Sequence, residues 1–174
     1  MDVFEKRCVV VGGGEVAARK ARGLLESGAR VVVISPEVRP EILEMDVEVH
    51  NRPYTPGDLG GASLAFAATD SRGVNAAVAR EAQESGVPVN VADRPAEGDF
   101  TLPSVLRRGG LQVAVSTGGA SPTLARRVRG GLEDSFGPEW AGIVERYGAA
   151  RRAGTVPDAE LEGEVVRCLS RLRG

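Results

Sequence analysis

A chain of 174 residues with 42% hydrophobic content is long enough to bury a core and fits one domain, or one domain with a small appendage. Its net charge of -2, with no long basic run, argues against nucleic acid as a partner, because neutralising phosphates needs clustered positive charge. Two distant cysteines, Cys8 and Cys168, and a single His50 provide neither a disulfide framework nor a closed zinc site, so no metal ligands are expected.

The segment from Met1 to Arg7 is short and charged and has no apolar stretch of signal length. No apolar run approaches the length of a membrane span, so a soluble cytoplasmic protein without a membrane partner is expected. The first strand is the β-branched run Cys8-Val9-Val10-Val11, cut off by Gly12-Gly13-Gly14 and followed at once by a helix-forming segment with Val16, Ala17, Ala21, Leu24 and Leu25. Gly12, Gly14 and Ala17 match G-x-G-x-x-A, in which the glycines allow a tight turn and let a pyrophosphate approach the backbone. Free N–H groups at the helix start, with the helix dipole, then face the phosphates. A plain βα connection is the competing reading. Ser27-Gly28-Ala29 is a good helix stop, and the second apolar run, Arg30 to Ile34, completes one βαβ unit, which favours dinucleotide binding. Ser35-Pro36 stands where an acidic residue usually grips the ribose, with Glu37 further on, so these residues alone leave NAD and NADP both open.

Next come a short helix over residues 37–45 and a third strand over 47–51, where His50 reads as a half-exposed strand residue rather than a catalyst. A loop rich in Pro and Gly leads to a fourth strand over 62–68, nearly all apolar and so central in a parallel sheet. A helix over 71–85 carries Val74, Ala77, Val78 and Ala82 on one face, with Asp70 or Ser71 as N-cap and Gly86 as its stop. Thr69 and Asn75 are either cofactor contacts or helix-start residues. A fifth strand over 87–92 delivers Asp93. In a doubly wound sheet the C-terminal strand ends form the ligand crevice, so the glycine turn, Thr69-Asp70 and Asp93 are expected on one rim. There Asp93 reads as a general base or as a turn aspartate before Pro95.

From about Pro103 the rhythm changes. A strand over 111–116 is preceded by Arg107-Arg108-Gly109-Gly110 and followed by Thr117-Gly118-Gly119-Ala120, then by Ser121 as N-cap and Pro122 at the first helical position. The helix is expected to turn Leu124, Val128 and Leu132 inward and Arg126, Arg127 and Arg129 elsewhere. The loop from Ser116 to Ser121 suits carboxylates or phosphates; a capped turn without ligand is the alternative. Arg107, Arg108, Arg126 and Arg127 strengthen a polyanion site if they face the crevice. Two amphipathic helices close the chain, one with Trp140, Ile143, Val144 and Tyr147, the other with Leu161, Val165, Cys168, Leu169 and Leu172. The fold class is therefore α/β: a Rossmann-like doubly wound parallel sheet over residues 1–102, a small α+β region over 103–134, and a helical C-terminal tail over 135–174.

Five motifs in this order resemble the dehydrogenase module of siroheme synthase, also found as stand-alone precorrin-2 dehydrogenase, over about residues 6 to 150. They are Val11-Gly12-Gly13-Gly14-Glu15-Val16-Ala17-Ala18-Arg19-Lys20-Ala21, Ala67-Ala68-Thr69-Asp70 with Asn75, Asn90-Val91-Ala92-Asp93, Phe100-Thr101-Leu102-Pro103-Ser104, and Val113 through Pro122. Ser35-Pro36 is usual in that family, whose cofactor is NAD. The resemblance implies oxidation of precorrin-2 to sirohydrochlorin, with Asp93 as general acid or base. It also implies cofactor contacts at Glu15, Val16, Ser35 and Pro36, which join Gly12, Gly13 and Gly14 of the glycine turn and Thr69, Asp70 and Asn75 of the rim as the expected cofactor site. The substrate's carboxylates would meet Ser116, Thr117, Gly118, Gly119, Ser121 and Arg126. The region after Pro103 would exchange segments with a second subunit, giving a homodimer. Some members also insert ferrous iron, and no metal-ligand signature separates the two kinds. The chain leaves no room before Gly174 for the methyltransferase domain of fused siroheme synthases, so methylation is not expected. A non-catalytic dinucleotide-binding regulatory module is the competing reading; its crevice needs no general base. A short-chain dehydrogenase is disfavoured because Tyr54 and Tyr147 are followed four residues on by Asp58 and Arg151, not lysine.

Overall fold

The computed structural model describes residues 1–171 and divides into two compact units, one spanning Met1–Thr101 and the other from Leu102 on. In the first, β1 (Arg7–Val11), β2 (Arg30–Ile34), β3 (Glu48–His50), β4 (Leu64–Ala67) and β5 (Val89–Val91) form one sheet in the order β3-β2-β1-β4-β5. Every neighbouring pair is parallel, with Val9 opposite both Val32 and Ala65. The order reverses between β1 and β4, which is where ligands bind in sheets of this kind.

Side chains alternate across each strand, so one run of valines serves two cores. Cys8, Val10, Val31, Val33 and Phe66 face α1 (Glu15–Leu25) and its Ala17, Ala18, Ala21 and Leu24. Val9, Val11, Val32, Ile34, Ala65 and Ala67 face α3 (Arg72–Ser85) through Val78, Ala79 and Ala82. Each such valine or isoleucine, buried from water, contributes about 1.5–3 kcal/mol. Burial also pushes the Cys8 thiol above its ordinary pKa, which leaves it an inert core residue. Ser71 caps α3, accepting from the Val74 N–H, and Gly86 ends it at φ +66.

Two expectations contract here. The helix over 37–45 is only α2 (Pro40–Leu43), because Ser35 Oγ donates to the Glu37 carbonyl at 2.7 Å and holds the preceding residues in a turn. On α3 the fourth buried position is Asn75, while Ala77 is only half-buried.

The second unit begins with a hairpin that the sequence reading had only half of. β6 (Ser104–Arg108) pairs antiparallel with β7 (Leu111–Val115) around Gly109-Gly110, with Gly109 at φ +55. Next, α4 (Pro122–Leu132) starts as expected, Ser121 Oγ accepting from the Leu124 N–H at 3.1 Å. Its inward residue is Ala125; Leu124 and Val128 are 52% and 45% exposed, contrary to the apolar-stripe reading. The small residue faces the hairpin because the helix packs close to it. Finally α5 (Glu139–Ala153) and α6 (Ala159–Ser170) pack through Trp140, Ile143, Leu161 and Cys168. Leu169 is 42% exposed, and Leu172 lies outside the described residues. Among the described residues, no helix is long and apolar enough to cross a membrane.

Candidate functional site

The glycine turn sits between the C-terminal ends of β1 and β4, in close contact on both sides. Gly12 has φ +128, and a Cβ there would lie 2.4 Å from the Ala68 carbonyl oxygen. A Cβ at Gly13 would lie 1.9 Å from the Glu37 carbonyl oxygen, and the Gly13 carbonyl accepts from the Arg39 N–H at 3.0 Å. Both glycines are therefore required by the protein's own packing. Gly14 is different: nothing stands within 4 Å of its Cβ position, and it starts α1 with no side-chain cap. Its open side and the uncapped N–H groups beyond it face a cleft of about 800 Å3, within the ~300–1,000 Å3 of small-ligand sites.

That cleft is lined by Gly12, Gly13, Gly14, Glu15 and Val16, by Ser35 and Pro36, and by Thr69 and Asp70. Nine of the ten expected cofactor positions thus share one surface. An open backbone at Gly14, an uncapped helix start and a cleft of this size fit a dinucleotide. The tenth, Asn75, lies behind the wall with no exposure. Its Oδ1 accepts from the Thr69 N–H at 3.1 Å and from the Thr69 hydroxyl at 2.8 Å. Its Nδ2 donates to the Thr69 carbonyl at 3.0 Å and to Asp93 Oδ1 at 2.8 Å.

Asp93 stands two residues past β5, on the same rim of the sheet, with its side chain 36% exposed. Arg72 approaches from the first turn of α3, its Nε 4.0 Å from Asp93 Oδ2, while its Nη2 donates to Glu97. Glu97 belongs to a 3-10 turn over Pro95–Glu97. A carboxylate that accepts one hydrogen bond, from Asn75, and has the Arg72 charge nearby, yet is open to solvent, can exchange a proton with a ligand above it.

In the second unit, the 116–121 loop is tied to itself. Thr117 Oγ1 accepts from the Ser121 N–H at 3.0 Å, and Ser116 Oγ accepts from the Gly118 N–H at 3.2 Å. Gly118 and Gly119 have φ +61 and +85, with open space at their Cβ positions. The loop leaves backbone exposed beside the start of α4, where Arg126 is also exposed.

A family model described as "Putative NAD(P)-binding" matches residues 1–104, and one described as sirohaem biosynthesis protein central matches residues 108–135. The chain is 44% identical over 151 residues to a siroheme synthase of Chromobacterium violaceum, covering 84% of this chain and 32% of that protein. It is 45% identical over 137 residues to a siroheme synthase of Methylobacillus flagellatus, covering 76% and 29% respectively. A solved structure of SirC, a precorrin-2 dehydrogenase, superposes with a TM-score of 0.75 at 26% identity, covering 99% of this chain and 90% of that one. The chain belongs to the "Putative NAD(P)-binding" family, whose model matches more than half of it. It spans about a third of the length of the curated siroheme synthases it matches.

Several residues at the site of this NAD(P)-binding family member escaped the sequence reading. Pro53 and Tyr54, after β3, form a wall of the cleft. The Tyr54 hydroxyl donates to Glu81 of α3, whose carboxylate also accepts from the Gly57 and Leu59 N–H groups at 3.0 and 2.8 Å. Burial and the Glu81 carboxylate push the Tyr54 pKa up, keeping it a neutral donor. Arg72 beside Asp93 also went unnoticed, since nothing in its sequence neighbourhood marks it.

Proposed function

We propose that this chain oxidises precorrin-2 to sirohydrochlorin, with Asp93 moving the proton. NAD, when bound, supplies the acceptor for the hydride. The carrying observation is that Asp93 and the glycine-turn cleft open on the same rim of the sheet and are joined through Asn75 and Thr69. Gly12, Gly13, Gly14, Glu15, Val16, Ser35, Pro36, Thr69 and Asp70 hold the dinucleotide. NAD is favoured over NADP because Glu37, an exposed residue of the cleft lining, would oppose a 2′-phosphate, while the other charged lining residue nearby, Arg39, is paired with Glu41 at 3.6 Å. The backbone of Gly118 and Gly119, with Ser116, Thr117, Ser121 and Arg126, takes substrate carboxylates. The working form is a homodimer, a reading supported by the exposed Leu124 and Val128 of α4. Asp93 is also suited to take protons from pyrrole nitrogens when ferrous ion enters the product as a second substrate.

The test is anaerobic incubation of the purified protein with precorrin-2 and NAD, following NADH and the sirohydrochlorin spectrum, with Asp93→Asn alongside. Turnover in the wild type and its loss in the variant are expected; ferrous ion added afterwards tests chelation. NADH binding without turnover in the wild type would instead assign the chain to the regulatory-module reading.

A further inference from the structure

The buried amide of Asn75 serves no ligand directly, and its environment accounts for every bond it can make. Its Oδ1 takes two hydrogen bonds from Thr69, and its Nδ2 gives one to the Thr69 carbonyl and one to Asp93 Oδ1. Two acceptances and two donations exhaust an asparagine side chain. The orientation of the amide is fixed as well, because an ionised Asp93 only accepts and so must face Nδ2. No other side chain of this length does both: aspartate lacks the donors and leucine lacks everything.

Helix energetics do not explain the residue. Asparagine is a mediocre helix former, and this one sits among the apolar positions Val78, Ala79 and Ala82 that pack α3 on the sheet. At zero exposure, an unsatisfied amide there would cost about 1–3 kcal/mol. An alanine would avoid that cost but would take from Thr69 the partner of its N–H and carbonyl. What Asn75 adds is a rigid path of two hydrogen-bonded steps from Thr69, on the wall of the dinucleotide cleft, to Asp93.

The geometry points to Asn75 as the positioning residue that fixes the Asp93 carboxylate relative to the cofactor wall at Thr69. This rests on the dehydrogenase reading for its catalytic consequence, though not for the link itself. Asn75 does not touch cofactor or substrate; it acts through Asp93. A carboxylate free to swing by an ångström loses alignment with the reacting centre, which is enough to slow a proton transfer about 100-fold.

The experiment is a cycle of Asn75→Asp, Asp93→Asn and the double variant, measured for melting temperature, NADH binding, and kcat and KM with precorrin-2. Asn75→Asp keeps both acceptances from Thr69 but sets a carboxylate against Asp93. Its melting temperature should fall, and kcat should drop about 10–100-fold, with KM and NADH affinity within about threefold of wild type. In the double variant an amide again meets a carboxylate, so the part of the melting temperature lost at the Asp93 contact should return, while the part lost with the donor to the Thr69 carbonyl, and turnover, do not. A double variant no more stable than the two single effects combined would overturn the link. An unchanged kcat in Asn75→Asp, with the wild type active, would overturn the positioning role. A wild type that binds NADH without turnover would defeat the dehydrogenase reading, and the melting cycle would still decide the link.

Discussion

Gly13 and Glu37 meet with no room for a side chain, the Glu37 carbonyl oxygen standing 1.9 Å from where a Gly13 Cβ would be. One residue on, Gly14 has open space and an ordinary extended backbone at φ -85. Adjacent glycines therefore serve different ends: Gly13 lets the β2–α2 turn close on the glycine loop, and Gly14 keeps the cleft floor bare for a ligand.

Substituting each in turn separates these roles. Gly14→Ala should melt within about 3 °C of wild type yet bind NADH at least ~10-fold more weakly, because its methyl occupies the space of the phosphates. Gly13→Ala should lose about 1–3 kcal/mol of stability from the overpacked contact. Differential scanning fluorimetry with an NADH fluorescence titration reads both. Wild-type affinity in Gly14→Ala would show that no pyrophosphate approaches this turn.

The loop that walls the cleft hangs on one side chain. Glu81 accepts from Tyr54, Gly57 and Leu59, and Leu59 is fully buried. Glu81→Ala leaves the Leu59 N–H without its partner, so urea unfolding should show a loss of about 1–3 kcal/mol. NADH affinity should fall too, since Tyr54 loses its anchor. Stability equal to wild type would mean that the loop holds itself.

How much of this was legible beforehand depended on the range of the interaction. The βαβ unit from Cys8 to Ile34 could be read because a β-branched run, three glycines and an alanine-rich stripe are local signals. The convergence of Thr69 and Asp93 followed from strand direction alone. Asn75 was visible as a motif residue but not as a buried link, because its four bonds reach across from α3 to the ends of β4 and β5. Strand β6 was missed although Gly109-Gly110 is a two-residue hairpin signal, since Ser104 to Arg108 carries two arginines. Leu124 and Val128 looked internal because helical spacing cannot say which neighbour covers a stripe. Tyr54 gave no signal: its partner Glu81 lies 27 residues away.

The acid limb of stability should carry the signature of Asp58. The Arg52 guanidinium, donating at 2.6 Å, holds the Asp58 carboxyl down to about 2, assisted by the Thr55 N–H. A group depressed on folding stabilises the protein above its unfolded pKa of about 3.9 and loses that contribution as pH falls through the folded value. Asp58→Asn should therefore lower the melting temperature by about 2–4 °C near neutrality, with the gap closing between about pH 4 and 2. Calorimetry across that range checks it, and a gap independent of pH would show that the pair carries no charge-dependent stability.

Leu124 and Val128 lie one turn apart on α4, each about half exposed. Covering what remains exposed of both is worth about 2–3 kcal/mol per subunit. If the partner subunit supplies that cover, Leu124→Glu with Val128→Glu should convert a dimer into a monomer in sedimentation velocity. NADH binding should survive, because every residue lining the dinucleotide cleft belongs to the Met1–Thr101 unit. Turnover should fall with the dimer, since the exchange of segments would make each site depend on its neighbour. A wild type that sediments as a monomer at tens of micromolar would refute the dimer, and a variant that stays dimeric would place the interface elsewhere.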